Sequence, residues 1–231
     1  FDDHPGYTLV EGDASNVDLM SSLVGDADHL IAGAAMIGGI SYFHTYPYDL
    51  LATNERIIAG TCDAAIRAMG SGKLKKVTYL SSSMVFESTC QWPSEEGDEL
   101  TIPPPHSSYG FQKLAVEYFA RAAWEQYGVP FTILRPFNCV GVGERRALGD
   151  VDIKSGNVSL AMSHVVPDLI QKILKGQDPL RILGTGNQVR CYTYGGDLAR
   201  GIISSLEADA AVNEDFNLST ATATTVLELA E

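Results

Sequence analysis

Short apolar runs alternate along this chain with longer segments whose apolar positions recur at helical spacing. Val77-Thr78-Tyr79-Leu80 and Phe131-Thr132-Ile133-Leu134 are rich in β-branched and aromatic residues and read as buried strands. His29-Leu30-Ile31-Ala32-Gly33-Ala34-Ala35 reads as another, its small C-terminal residues leaving room for close approach of a flat ring system. Tyr7–Val10 predicts a short strand, and Arg181-Ile182-Leu183-Gly184-Thr185-Gly186 a strand and turn. Helices are expected toward Leu23 with Asp13 or Ser15 as N-cap, from near Tyr48 with Leu51, Ile57, Ile58 and Cys62 on the apolar side, and after Tyr109. In the Tyr109 helix, Leu114, Val116, Phe119 and Ala120 form the apolar face. Further helices run from Ser163-His164-Val165-Val166-Pro167 through Leu174 and from Asp197, read as a cap. Glu87 to Pro105 is a loop punctuated by Pro93, Gly97, Pro103, Pro104 and Pro105, whose acids Glu95, Glu96, Asp98 and Glu99 read as a solvated face.

The chemistry concentrates between Val77 and Lys113. The strand turns polar at Ser81-Ser82-Ser83, at the carboxyl end where open α/β sheets bind ligands. Tyr109 and Lys113 lie four apart on the following helix, so they share a face with roughly 5–6 Å between their Cβ atoms. An ammonium beside a phenol favours its ionised form, and a phenol tuned down from about 10 can exchange protons with a substrate alcohol near neutral pH. Tyr-x-x-x-Lys by itself also arises by chance on amphipathic helices. Preceded by a strand ending in serines, it is more specific.

Bulk properties narrow the partners rather than the chemistry. The 231 residues suit one or two domains, and 45% hydrophobic with 19% charged content describes an ordinary globular protein. A net charge of -13 disfavours nucleic acid and anionic membranes as partners. Cys62, Cys90, Cys139 and Cys191 are scattered without zinc spacing, so no metal site is expected and reduced thiols in a cytoplasmic protein are the simplest account. No apolar run approaches membrane-spanning length, and Phe1-Asp2-Asp3-His4 is not a leader, so neither a membrane span nor a signal peptide is expected.

Three motifs together carry a resemblance. Ser81-Ser82-Ser83-Met84-Val85-Phe86, Pro105-His106-Ser107-Ser108-Tyr109-Gly110-Phe111-Gln112-Lys113 and Leu134-Arg135-Pro136-Phe137-Asn138 resemble, in order and spacing, the extended short-chain dehydrogenase/reductase family. The similarity runs from about Leu9 to Leu229, and Phe216-Asn217-Leu218 with Thr224–Leu229 resemble its closing strand and helix. The family implies an α/β fold, a Rossmann-like doubly wound parallel sheet, with residues 1–140 and a return near 187–215 binding the dinucleotide. A small C-terminal domain over 141–231 would mainly bind substrate, after a loop rich in Gly, Arg and Asp that the composition reads as mobile.

The resemblance also implies roles. Ser82, Tyr109 and Lys113 are the expected catalytic residues. Asp13 and Ala14 would meet the adenine, Gly33, Ala34 and Ala35 the nicotinamide ribose side, and Pro136 the nicotinamide amide. Asn54, Leu80 and Ser81, with Tyr109 and Lys113 themselves, complete the cofactor-binding set, Asn54 by steadying the active-site backbone near the catalytic Lys. Gly38, Gly39, Ser83, Asn138, His164 and Arg190 are the expected substrate contacts, the arginine suiting a diphosphate through paired charge-assisted hydrogen bonds; His44 reads as a solvated loop residue. The expected cofactor is NAD, with NADP open, the expected substrate a UDP- or GDP-linked sugar, and a homodimer is expected through the helices of Asn54 and Tyr109.

Such folds normally open on a strand, a glycine-rich turn and a helix that holds the pyrophosphate. Here Gly6 and Gly12 merely flank Tyr7–Val10, so the 231 residues are expected to lack that unit and a piece beyond Glu231, and to bind cofactor poorly by themselves. Family dehydratases commonly place an Asp-Glu pair after the catalytic serine, and 3,5-epimerases pair a cysteine there with a second base matching His164. This chain has Ser83-Met84 in that position, and Ala35–Ile40 and Ser163–Pro167 still resemble the 3,5-epimerases. Cys139 could stand in for the missing cysteine only from another strand. A 4-epimerase needs only Ser82, Tyr109 and Lys113, so C4 epimerisation is the expected reaction; dehydration, 3,5-epimerisation or a non-catalytic cofactor sensor are the alternatives.

Overall fold

The computed structural model describes residues 4–37, 45–70, 72–141, 154–155, 158–159, 164–182 and 184–231. In chain order the first elements are α1 (Val17–Val24), β1 (His29–Ala32), α2 (Pro47–Met69) and β2 (Lys76–Leu80). A 3-10 turn (Ser83–Phe86) follows β2 and leads to α3 (Ser108–Tyr127), β3 (Phe131–Pro136) and β4 (Cys139–Val140). Then come β5 (Lys154–Ser155), β6 (Val158–Ser159), α4 (Val165–Leu174), β7 (Val189–Arg190) and β8 (Thr193–Tyr194). The last elements are α5 (Gly195–Glu207), β9 (Glu214–Leu218), β10 (Thr224–Thr225) and α6 (Val226–Ala230).

The central sheet is parallel throughout, in the order β1-β2-β3-β9. Parallel strands covered on both faces must be apolar nearly everywhere, and β2 and β3 are buried almost end to end. Alternation sends Tyr79 to one face, where its hydroxyl lies 3.4 Å from Cys62 Sγ of α2, and Lys76 to the other, where its ammonium donates to the Ser205 carbonyl of α5. Helices therefore lie on both sides of the sheet. The main core joins Ile58, Cys62 and Ala65 of α2, Val77 and Tyr79 of β2, Val116 and Ala120 of α3, and Phe131 and Ile133 of β3. α2 and α3 pack directly on one another, and burial there pushes the Cys62 thiol up to about 11.

Several local expectations are corrected. Tyr7–Val10 is not a strand: these residues are irregular, and Tyr7, Leu9 and Val10 are exposed. A strand needs a hydrogen-bonded neighbour, and among the described residues β1 pairs only with β2. For the same reason β1 is not a fully buried strand; Ile31 is 45% exposed and the pairing stops at Ala32. Arg181 and Ile182 are not in a strand either, since Arg181 is tied to α4 through Gln177 and Lys172, while the turn at Gly184 and Gly186 is present with positive φ at both. The N-cap of α1 is Asn16, whose side chain accepts from the Asp18 and Leu19 amides, whereas Asp13 turns to Ser15. Asp197 does not cap α5; it lies in the first turn, where a carboxylate suits the helix dipole, and pairs with Arg200.

The larger correction concerns the acidic loop. Glu99 is 4% exposed and its carboxylate lies 2.8 Å from Arg135 and 3.0 Å from Arg121. Glu96 accepts the Asn217 backbone amide at 2.7 Å, and Asn217 Nδ2 donates to the Ser94 carbonyl at 3.1 Å. Glu95 and Glu96 are exposed as expected, but Glu99 is buried, and the loop is anchored to β9 through Glu96 and to the core through Glu99. Arg135 supplies the reason, since a guanidinium at zero exposure requires carboxylates, and the loop brings one of them.

The N-terminus of α3 sits flush on the turn after β2. A Cβ added at Gly110 would lie 2.6 Å from Pro105 Cβ, 2.8 Å from the Met84 carbonyl oxygen and 3.1 Å from Glu87 Oε2. In an open helix Gly→Ala gains up to about 1 kcal/mol, whereas overpacking of this kind costs about 1–3 kcal/mol. Gly110→Ala is therefore expected to melt below the wild type in a circular-dichroism scan; an unchanged or raised Tm would show that the turn gives way freely.

Candidate active site

Ser82, Tyr109 and Lys113 are brought together at the carboxyl end of β2. Ser82 is buried and heads the 3-10 turn, its Oγ accepting the Met84 amide at 3.2 Å. Ser107 caps α3 by accepting the Gly110 amide, which fixes the first turn of the helix beside that serine. The Ser82 side chain stands within interaction range of the Tyr109 hydroxyl and favours its ionised form. Lys113 is buried, its Nζ lies 6.0 Å from the centre of the Tyr109 ring, and it donates to the Leu80 carbonyl at 2.8 Å. The spacing argument from helix geometry thus holds: phenol and ammonium share one face and one end of the sheet.

The electrostatics differ from the sequence expectation. Burial pushes the Tyr109 phenol above its ordinary value, and the Ser82 hydroxyl pulls it partly back. Burial also lowers the Lys113 ammonium to about 8. Both groups stand in a poorly hydrated corner, so each is biased toward its neutral form, and the phenol is not made acidic by the ammonium alone. Of the two, Lys113 gives up its proton first, because burial favours its neutral form.

Around this group the structure places the remaining expected residues unevenly. Asn54 is 1% exposed, accepts the Met36 amide at 2.6 Å and donates to the Met36 carbonyl at 2.9 Å, pinning the segment after β1 to α2. Gly33 and Ala34 are exposed on that segment and Ala35 is half-buried; a Cβ on Gly33 would meet Leu80 Cδ1 at 3.2 Å, so the small residue keeps this edge low. Asp13 is exposed with one carboxylate oxygen accepting from the Ser15 amide and hydroxyl at 2.8 Å, beside half-buried Ala14. The Ser81 hydroxyl is not free for a ligand: it donates to Glu117 Oε1 at 2.6 Å, so any contribution of Ser81 to cofactor binding comes from its backbone. Ser83 is half-buried in the 3-10 turn.

Pro136 closes β3, and Asn138 just beyond it is exposed with φ of 34°, a conformation unusual for any residue but glycine and best tolerated by asparagine. His164 heads α4 and Arg190 lies in β7, both exposed and on elements other than those that form the Ser82 group; the Arg190 guanidinium donates to the Val189 carbonyl at 2.7 Å. Gly38, Gly39 and His44 lie outside the described residues.

Sequence reasoning missed the support beneath the site. Arg135 donates to both Glu117 oxygens at 2.8 and 2.7 Å and to Asp215 at 2.5 Å, and the Nη2 that meets Glu117 also lies 2.8 Å from Glu99. Burial opposes the charge on Arg135, and the Glu117 hydrogen bonds with the charges of Glu117, Glu99 and Asp215 outweigh it. Two signals were legible: an arginine continuing the apolar run of β3, and Glu117 one helical turn beyond Lys113.

The carboxyl ends of β1, β2 and β3 thus carry the small exposed residues Gly33 and Ala34, half-buried Pro136 and Tyr109, and buried Lys113, a setting that suits a dinucleotide. A separate cavity of about 280 Å³ in the loop, lined by Cys90, Asp98 and Thr101 among others, contains none of the Ser82 group. Among the described residues there is no cluster of metal-ligating side chains, and no helix is long and apolar enough to cross a membrane.

Comparison with known proteins places this geometry. A putative GDP-L-fucose synthase 2 of Oryza sativa subsp. japonica is 29% identical over 88% of this chain and 56% of its own length. The chain thus spans little more than half of that relative. A UDP-N-acetylglucosamine 4-epimerase from Methanobrevibacter ruminantium M1, solved with UDP-N-acetylmuramic acid, superposes with a TM-score of 0.79 at 25% identity over 98% of this chain and 66% of that one. A UDP-glucuronic acid 4-epimerase from Bacillus cereus, in complex with UDP-glucuronic acid and NAD, shares the fold with a TM-score of 0.77 at 24% identity over 98% and 64%. The family model described as NAD dependent epimerase/dehydratase matches residues 2–219, nearly the whole chain. With its parallel sheet and its Ser, Tyr and Lys gathered at one strand end, the chain belongs to the NAD-dependent epimerase/dehydratase family, whose architecture is the extended short-chain dehydrogenase/reductase fold.

Proposed function

We propose that the protein epimerises a nucleotide-activated sugar at C4, with NAD as cofactor, through a transient 4-keto sugar. The observation that carries this reading is the Tyr109 hydroxyl within range of Ser82 and beside Lys113, with only Ser83 and Met84 following in the turn. A thioether and a hydroxyl supply no second acid–base couple, and C4 epimerisation asks for none. Bound here, the nicotinamide would accept hydride from C4 and return it to the other face of the keto-sugar.

The chain's own residues would do the rest. Tyr109 takes the C4 hydroxyl proton and later gives it back, Ser82 holds the same oxygen, and Lys113 balances the negative charge on the phenol while anchored to the Leu80 carbonyl. Asp13 and Ala14 would receive the adenine, while Gly33, Ala34, Ala35, Leu80, the Ser81 backbone and Pro136 would line the ring side of the cofactor, with Asn54 fixing the backbone there. Ser83, Asn138, His164 and Arg190, with Gly38 and Gly39, would bind the UDP- or GDP-sugar, the arginine releasing Val189 to meet the diphosphate. Residues 1–140 would serve the cofactor and 141–231 mainly the substrate, and two copies would associate through α2 and α3.

One second reading has a specific basis. Similarity to a GDP-fucose synthase over 88% of the chain supports a 3,5-epimerase, whose acid–base couple would need His164 and a partner other than Met84. Product NMR after incubating UDP- and GDP-sugars in deuterated water separates the two: the 4-epimerase leaves carbon unlabelled, whereas deuterium at C3 or C5 would overturn the 4-epimerase reading.

Tyr109→Phe is expected to cut kcat by at least about 100-fold while NAD binding, followed by fluorescence titration, persists. The pH dependence follows from the pair. Its first proton is lost near pH 8, where Lys113 titrates, and the phenolate–ammonium tautomer of the singly deprotonated pair is the form able to take a proton from the sugar. Thus kcat/KM should rise through about pH 8. Lys113→Met removes the ammonium but not the burial that raises the phenol, so the rise should move to higher pH; a shift to lower pH would contradict the assignment.

A further inference from the structure

The chain of contacts beneath Ser82 is continuous. Ser81 Oγ donates to Glu117 Oε1 at 2.6 Å, and Arg135 holds both oxygens of that carboxylate. Arg135 in turn lies 2.8 Å from Glu99, which the acidic loop delivers, and 2.5 Å from Asp215 of β9. The Ser81 amide donates to the Leu134 carbonyl at 2.8 Å, so both ends of Ser81 are fixed, one to β3 and one to α3. Arg135 and Glu117 are fully buried, and Glu99 and Ser81 nearly so. Ser82 follows Ser81 directly, at the point where the backbone leaves the sheet for the 3-10 turn. With Ser81 clamped on two sides, the direction in which the next side chain leaves the backbone is set.

From this we infer that Glu117 is a positioning residue: locked by Arg135, it takes the Ser81 hydroxyl and so aims the Ser82 hydroxyl at Tyr109. Its catalytic consequence rests on the reaction proposed above, but its geometric content does not. The carboxylate form matters because both of its oxygens are committed as acceptors. Glu117→Gln replaces one acceptor by an NH₂ donor facing either Arg135 or Ser81, two groups that themselves donate. Charge balance survives the change, since Arg121 and Arg135 are then faced by Glu99 and Asp215. Ser81→Ala is the complementary variant: it deletes the tether and leaves the Glu117–Arg135 pair whole.

The test reads Tyr109 itself. With tyrosine labelled at 13Cζ in the full chain and the Tyr109 resonance assigned by Tyr109→Phe, its titration midpoint is compared in wild type, Ser82→Ala, Ser81→Ala and Glu117→Gln. Because the Ser82 hydroxyl pulls the phenol down, all three variants should titrate at higher pH than wild type, and by similar amounts. The Ser81→Ala/Glu117→Gln double variant should shift no further than the larger single one, as expected of two links in one chain. An unchanged Tyr109 midpoint in Ser81→Ala and Glu117→Gln, with only Tm lowered, would overturn the proposal and leave Glu117 a purely structural ion-pair partner. Kinetics then add a second readout: a kcat loss of about 10-fold in each variant with sugar KM within about 2-fold supports the positioning role. A wild type that titrates as described but turns over no nucleotide sugar refutes the proposed reaction and leaves the positioning inference standing.

Discussion

A guanidinium with no exposure to water cannot be left alone, and Arg135 imposes that requirement on much of this molecule. Removing one partner from a buried ion pair typically costs about 3–5 kcal/mol, because the remaining charge stays desolvated. Three parts of the chain meet that demand, Glu117 from α3, Asp215 from β9 and Glu99 from the loop after β2, and Arg121 of α3 bridges all three carboxylates. Two guanidiniums and three carboxylates therefore tie elements that are far apart in sequence. The Arg135 guanidinium also lies 5.4 Å from the centre of the Phe86 ring, so the 3-10 turn after β2 packs on the same charge.

The same economy of water shapes the site. Tyr109 and Lys113 stand where the helix meets the end of β2, and burial biases both toward neutrality. A hydroxyl neighbour at Ser82 and a carbonyl neighbour at Leu80 then decide which protonated form is held in which orientation. Burial, rather than the charge one helical turn away, is the larger influence on both groups.

Position within the sheet explains why Ser82, Tyr109 and Lys113 gather at this end of the molecule. β2 and β3 are central and rigid, and their carboxyl ends open onto Gly33, Ala34, Pro136 and Asn138 rather than onto another layer. The Asn54–Met36 clasp and the Gly110 contact bring α2 and α3 close to that opening without filling it. In open α/β sheets the carboxyl ends of the inner strands are where ligands bind, because no further layer covers them.

What the sequence determined by itself was local. Period and residue type were enough for β2, β3, α2 and α3, and four-residue spacing was enough to put Tyr109 and Lys113 on one face, because these depend only on backbone geometry. Tyr7–Val10 shows where that reasoning stops, since an extended, β-prone run becomes a strand only if a neighbour is present to take its hydrogen bonds. Glu99 shows it again: in sequence it is one acid among four in a loop, and only the arrival of Arg135 and Arg121 from later in the chain makes burying it favourable. The titration of Tyr109 and Lys113 was likewise a tertiary decision, because desolvation depends on everything packed around a group and not on the residue one helical turn away.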